Sequence, residues 1–183
     1  MTEPNQTSAV GTEHLLQFGI IIHLFAKIEA LMQVAAAGIL DTDLGTAMVL
    51  MGDMNYRQKR QTLKHLNTTI GIDGFVSEEL TALLDDLHKQ SKLRNWIAHA
   101  TWNEGRRTGS IKPMQLYLRR EEPVPLGHHH NEPDYAVEDL KISAKKLDDI
   151  DRRFNSLLKS SGLMARVEAR IEAIKSPIGP SPG

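Results

Sequence analysis

The chain has 183 residues, 40% of them hydrophobic, with 22 lysines and arginines against 23 aspartates and glutamates for a net charge of -1, and no cysteine. That length suffices for one domain with a sizeable core. The absence of cysteine excludes disulfide staples and thiolate metal sites and fits a reducing compartment. The balanced charge excludes a global basic field, so any nucleic-acid contact has to come from a local patch.

In chain order, residues 1–11 read as a flexible start. A helix is expected from Thr12 to Leu40, built on unbroken apolar spacing. Its most apolar run, Phe18 to Ala26, contains His23 and is followed by Lys27 and Glu29, too short and too charged for a bilayer span. A cytoplasmic protein without membrane contact is therefore expected. Asp41 to Asp43 forms a turn, and Asp43 caps a short helix through Leu50. Gly52 and Asp53 break it. Asn55 caps a third helix that carries Tyr56, Leu63 and Leu66 inward. After the turn from Gly71 to Gly74, Ser77 is expected to cap a helix with Glu78 and Glu79 in its first turn.

From Ser110 to Arg120 the chain alternates apolar and polar residues around Pro113, the pattern of a short edge strand. Its expected partner is a second short strand or turn around Tyr135 to Leu140, across a polar loop bracketed by Pro123, Pro125, Gly127 and Pro133. A last bundle helix is expected from Ser143 to Ser160. The pattern resumes at Leu163, Val167, Ile171 and Ile174, an extension able to pack on a second subunit. Residues 176–183 are rich in proline, glycine and serine and read as a disordered tail. The fold class is all-α: an antiparallel four-to-five-helix bundle with a small β-hairpin excursion near residues 106–140, in a single helical domain over residues 12–175.

Two apolar stripes each carry one charge. Leu80, Leu84, Leu87, Ser91, Arg94 and Ala98 recur in steps of three and four along one helix, which places Arg94 in an apolar seam. Phe18, Ile22, Phe25, Glu29, Met32, Ala36 and Ile39 do the same on the first helix, with Glu29 in the middle. Unpaired burial of either charge would be costly, so Glu29 is expected near Arg94. Asn95 and His99 are four apart and neighbour each other on an adjoining face. This cluster has two readings: a structural ion pair with a histidine at a helix end, or a site whose arginine, carboxamide and histidine bind and turn over a phosphodiester.

Arg94-Asn95-Trp96-Ile97-Ala98-His99 resembles the signature of the HEPN superfamily, in which four to six residues, often beginning with Asn, separate an arginine from a histidine. An acidic residue in a long first helix (Glu29), a segment with Met54, Tyr56 and Lys59, and the ending Ala98, His99, Ala100, Trp102 are similar to bacterial members. The likeness spans approximately residues 12–160. It implies an all-helical domain that dimerises to join two motifs in one cleft. It further implies metal-independent endoribonuclease activity of the toxin–antitoxin or antiviral-defence kind, with no cofactor. Other members of that superfamily only bind RNA, nucleotides or proteins. Where toxins of this group are silenced by a nucleotidyltransferase, a tyrosine stands two residues after the histidine; here it is Thr101, which departs from that mode of control.

The catalytic candidates are therefore Arg94, Asn95 and His99, supported by Glu29, Lys92 and Trp96. Arg57, Lys59, Arg60, Lys64, Lys92, Arg106 and Arg107 are the residues available for an RNA-binding patch. Trp96 and Trp102 could stack on bases, although a tryptophan at the spacing of Trp96 is more often core or dimer interface. His128, His129 and His130 sit adjacent on a loop, where histidines rarely converge on one ion, so no metal is expected. The first functional reading is an RNA-cleaving homodimer, with a cognate antitoxin or regulatory protein as a further partner. The second is a non-catalytic module that dimerises or binds a protein or nucleotide, with Glu29 and Arg94 as polar glue. A His99 that in a dimer is solvent-open and faces its mate within reach of one phosphate favours the first, and a buried His99 bonded to backbone favours the second.

Overall fold

The structure is a computed structural model that describes residues 9–70, 72–114 and 133–175. It is an all-helical bundle with one small two-stranded sheet. Among the described residues the elements are α1 (Thr12–Leu40), α2 (Leu44–Met51), α3 (Tyr56–Ile70), α4 (Gly74–His99), β1 (Thr101–Glu104), β2 (Ile111–Met114), α5 (Val137–Ser160) and α6 (Leu163–Lys175).

The boundaries follow from local chemistry. Asp43 caps α2 by accepting the Thr46 backbone N–H at 3.0 Å and its hydroxyl at 2.6 Å. Asn55 and Gln58 form a reciprocal box at the start of α3, each side chain accepting the other residue's backbone N–H at 3.1 and 2.9 Å. Between α5 and α6, Gly162 has φ +74°, a left-handed turn that a glycine enters without strain.

The described residues fall into two compact units. The first takes the chain up to Phe25 and from His88 to Asp148; the second takes Ala26 to Leu87 and Asp149 to Lys175. In the first unit, Phe18, Ile21, Phe25, Leu93, Trp96 and Ile111 are buried. In the second, Met32, Met51, Leu63, Leu84, Phe154 and Val167 are buried. Burying apolar area of this kind is the main term holding each unit together. By length and composition α1 is, among the described helices, the one able to cross a membrane, a test that the core helix of a bundle also meets.

Several expectations are corrected. The sheet pairs β1 with β2, Thr101 opposite Met114 and Glu104 opposite Ile111, so the first strand precedes the expected excursion. Tyr135 contributes a single bridge to Ile111, and Val137 to Leu140 opens α5 in place of a strand. The reason is a helix start: Asp139 accepts the Ala136 N–H at 2.9 Å, with Glu138 and Asp139 in the first turn. α4 begins at Gly74, three residues before Ser77, because the Ser77 N–H already donates to the Asp73 carbonyl in the helical pattern. α6 forms, but Leu163 and Val167 are buried within their own unit, Val167 against Ala37 and Ala47. The expected strand residues Gln115 to Arg120, the histidines at 128–130 and the tail at 176–183 lie outside the described residues.

Candidate active site

The motif closes α4 in the first unit. The apolar stripe is buried from Leu80 to Ser91, then surfaces: Arg94 is half-buried and Ala98 exposed. Asn95 and His99 are both exposed, one turn apart on the same face. Arg94 lies with its guanidinium 5.4 Å from the centre of the Phe25 ring and donates from Nη1 to Asn95 Oδ1 at 3.3 Å. A cation over an aromatic face is held electrostatically by the ring quadrupole. Phe25 was read from the sequence only as part of a stripe; its use as a platform for Arg94 was missed. His99 sits in the last turn of α4. The Ala100 N–H donates to the Trp96 carbonyl at 2.8 Å and closes that turn.

Aromatic packing fixes the helix end. Trp96 is buried and meets Tyr135 edge-on at 6.1 Å. Trp102 packs against Phe18 at 4.8 Å and against Tyr135 at 6.0 Å. Burial makes Trp96 a core residue in this chain rather than a stacking platform. Lys92, exposed on α4, places Nζ 4.6 Å over the Trp96 ring. Asp134 braces the turn after β1: it accepts the Arg106 backbone N–H at 2.6 Å, and Arg106 Nε lies 3.7 Å away. Arg107 donates to the Asp134 carbonyl and to Asp139 Oδ2, each at 2.6 Å. The sequence does not reveal the bracing roles of Asp134 and Asp139, because these depend on residues 106–107 meeting residues 134–139 in the fold.

The other expected residues belong to the second unit. Glu29 does carry an ion pair there: Lys59 Nζ lies 2.8 Å from Glu29 Oε2. Lys59, expected in the RNA-binding patch, is buried. Arg60 pairs with Asp85 and donates to the Leu84 carbonyl at 3.3 Å, and Lys64 reaches Asp85 at 2.7 Å. Lys64 and Arg60 together hold the Asp85 carboxyl below its ordinary range, the hydrogen bond from Lys64 foremost. Burial pushes the Tyr56 phenol well above its usual value. Arg57 is exposed. Of the basic residues expected to meet RNA, the structure thus sets Lys92, Arg106 and Arg107 in the motif's unit and Arg57, Lys59, Arg60 and Lys64 in the other. Among the described residues no group of three or more histidines and carboxylates could hold a metal ion.

Chemically, the end of α4 offers a fixed cation, a carboxamide and a solvent-open imidazole within one helical turn and a half. Comparison with known protein families, curated proteins and solved structures finds no match for the chain.

Proposed function

We propose that the chain is a metal-independent endoribonuclease, acting as a homodimer whose composite cleft takes Arg94, Asn95 and His99 from each copy. The observation that carries this reading is the exposed Asn95–His99 face beside a guanidinium seated on Phe25. RNA cleavage without metal needs a base for the 2′-hydroxyl, an acid for the leaving 5′-oxygen and positive charge on the phosphorane-like transition state. One His99 takes the 2′-hydroxyl proton as that oxygen bonds to phosphorus. The phosphorus–O5′ bond then breaks, and a second His99 protonates O5′. Arg94 stabilises the equatorial oxygens and Asn95 orients the imidazole or donates to a phosphate oxygen. The products are a 2′,3′-cyclic phosphate and a 5′-hydroxyl. Two proton transfers need two imidazoles, which is the reason for a two-fold arrangement. The resemblance of the motif to HEPN toxins and defence nucleases supports the same reading and adds an antitoxin or regulatory protein as a further partner.

A second reading rests on a specific observation. Lys59, Arg60, Arg106 and Arg107 all have carboxylate partners, which lowers the positive charge available to RNA. That favours a non-catalytic module that dimerises or binds a protein or nucleotide. Incubating the pure protein with total RNA in EDTA, beside a variant carrying Arg94→Ala and His99→Ala, separates the two. Cyclic-phosphate ends produced by the wild type alone support the nuclease; equal cleavage by both preparations refutes it.

A further inference from the structure

We infer that the outward face of the two-stranded sheet is a second nucleotide subsite, in which Lys112 binds an RNA phosphate near the one cleaved and Asn103 meets the base of that nucleotide. Residues directly opposite each other in an antiparallel pair share a face. The register sets Thr101 opposite Met114 and Asn103 opposite Lys112 on one face, and Trp102 opposite Pro113 and Glu104 opposite Ile111 on the other. The second face is the inner one: Ile111 and Pro113 are buried, and Trp102 packs on Phe18. The first meets solvent, with Thr101 and Asn103 exposed and Lys112 and Met114 half-buried.

The charges of this region divide by face. Arg106 and Arg107, in the turn between the strands, are held by Asp134 and Asp139. The Lys112 ammonium has no ion-pair or hydrogen-bond partner among the described residues. The outward face carries no carboxylate, because Glu104 belongs to the other one. An unpaired ammonium on a face without acidic residues complements a phosphodiester strand, and an apolar partner would leave that charge stranded. Opposite Lys112, Asn103 donates one N–H to the Met114 thioether at 3.4 Å, a weak acceptor. Its carbonyl oxygen and second N–H stay open to a base edge, which single-stranded RNA presents. The half-buried Met114 offers a polarizable apolar surface beside that amide. The Thr101 hydroxyl is committed to the fold, since it donates to the Met114 carbonyl at 3.1 Å.

The subsite rests on the proposed nuclease reading for its role beside a cleaved phosphate. Asn103 follows His99 by four residues, at most about 14 Å of fully extended chain. One strand seated at His99 therefore reaches Lys112 within a few nucleotides. β1 leaves the end of α4 directly and both lie in the first unit, so the backbone of a single copy sets this spacing.

The test uses the full chain and reads binding apart from cleavage. The probe is a fluorescent single-stranded oligonucleotide of mixed sequence, 2′-O-methylated throughout so that no 2′-hydroxyl can attack, followed by anisotropy over a salt series. Lys112→Gln should raise the dissociation constant at low salt at least about threefold and flatten the slope of log affinity against log salt by about 0.7, the share of one single-strand phosphate. Lys112→Arg should keep both near the wild-type values, since the charge remains. Lys145→Gln, the same charge change at an exposed position of α5, should leave both unchanged. Asn103→Ala should weaken binding with the salt slope intact, because an amide contact to a base releases no counterion. No binding at about 100 µM protein, equal losses in Lys112→Gln and Lys145→Gln, or tighter binding of polyglutamate than of the oligonucleotide would overturn the proposal. RNA cleavage by the wild type with binding unaffected by Lys112→Gln would reject the subsite and keep the nuclease. Binding lost on Lys112→Gln in a protein that leaves natural RNA uncut would keep the surface and reject the nuclease.

Discussion

Lys59 Nζ stands 2.8 Å from Glu29 Oε2, closing an ion pair between α3 and α1 in which the side chains keep only 10% and 15% of their exposure. Removing one partner leaves the other charge largely buried, which costs about 3 kcal/mol or more. Glu29→Ala and Lys59→Met should each lower the urea midpoint accordingly. Replacing both, with Glu29→Leu and Lys59→Met together, should recover part of the loss, because the two charges of this pair are then removed together. Additive losses in the double variant would show that the pair is not coupled.

Gly38 of α1 packs against α6 with no room for a side chain. A Cβ there would lie 2.7 Å from the Leu163 carbonyl oxygen and 2.8 Å from its Cβ. Gly38→Ala would normally gain helix propensity. Here overpacking dominates, at about 1–3 kcal/mol, so the variant should unfold at lower urea. Gly19→Ala, on the same helix but in open space, should be neutral or stabilising. Equal responses of the two would contradict the close approach.

Asp139 supplies a pH dependence of known sign. The Ala136 N–H foremost, and then Arg107, hold its carboxyl below the usual range. A depressed folded pKa contributes stability that is present above the unfolded value, about 3.9, and lost as pH falls through the folded pKa. Asp41, Asp43 and Asp85 are shifted the same way, so the whole protein should weaken on acidification. Asp139→Asn should flatten that decline, read as the slope of the thermal midpoint below about pH 5. An unchanged slope would remove Asp139 from the account.

The helices were legible wherever apolar spacing met a polar cap. α1 runs from Thr12 to Leu40 as its pattern predicts, and Asp43 and Asn55 cap where their side chains suggest. β1 was not legible, because Thr101, Asn103 and Glu104 are exposed and give no alternation for a pattern to reveal. Its pairing is set by the return of the chain through Ser110, whose carbonyl accepts the Gly105 N–H at 2.8 Å. Lys59 as the counterion of Glu29 was hidden for a different reason. Lys59, Leu63 and Asn67 form the buried face of α3 in steps of four, yet only the leucine counts as apolar. At the motif, helix spacing correctly put Asn95 and His99 side by side. The seat of Arg94 on Phe25 required the packing of two helices, which no single stripe contains.

The proposed chemistry makes the sharpest demand on His99. Losing a proton-transfer group costs on the order of 10²–10⁴ in rate, so His99→Ala should abolish measurable cleavage with the fold intact by circular dichroism. Arg94→Ala should act on turnover, because the guanidinium is proposed to meet charge that develops in the transition state. Arg94→Lys should restore little, since an ammonium lacks the planar fork that binds two phosphate oxygens while stacking on Phe25. Activity should survive chelation. With one imidazole neutral and one protonated, the pH–rate profile should be bell-shaped. Mixing wild-type with His99→Ala protein gives the strictest readout. If each cleft draws a His99 from both copies, the mixed dimer keeps only one imidazole and should be as inactive as the His99→Ala homodimer. A rate for His99→Ala within about tenfold of the wild type would exclude the imidazole from proton transfer and leave the binding module as the function of this surface.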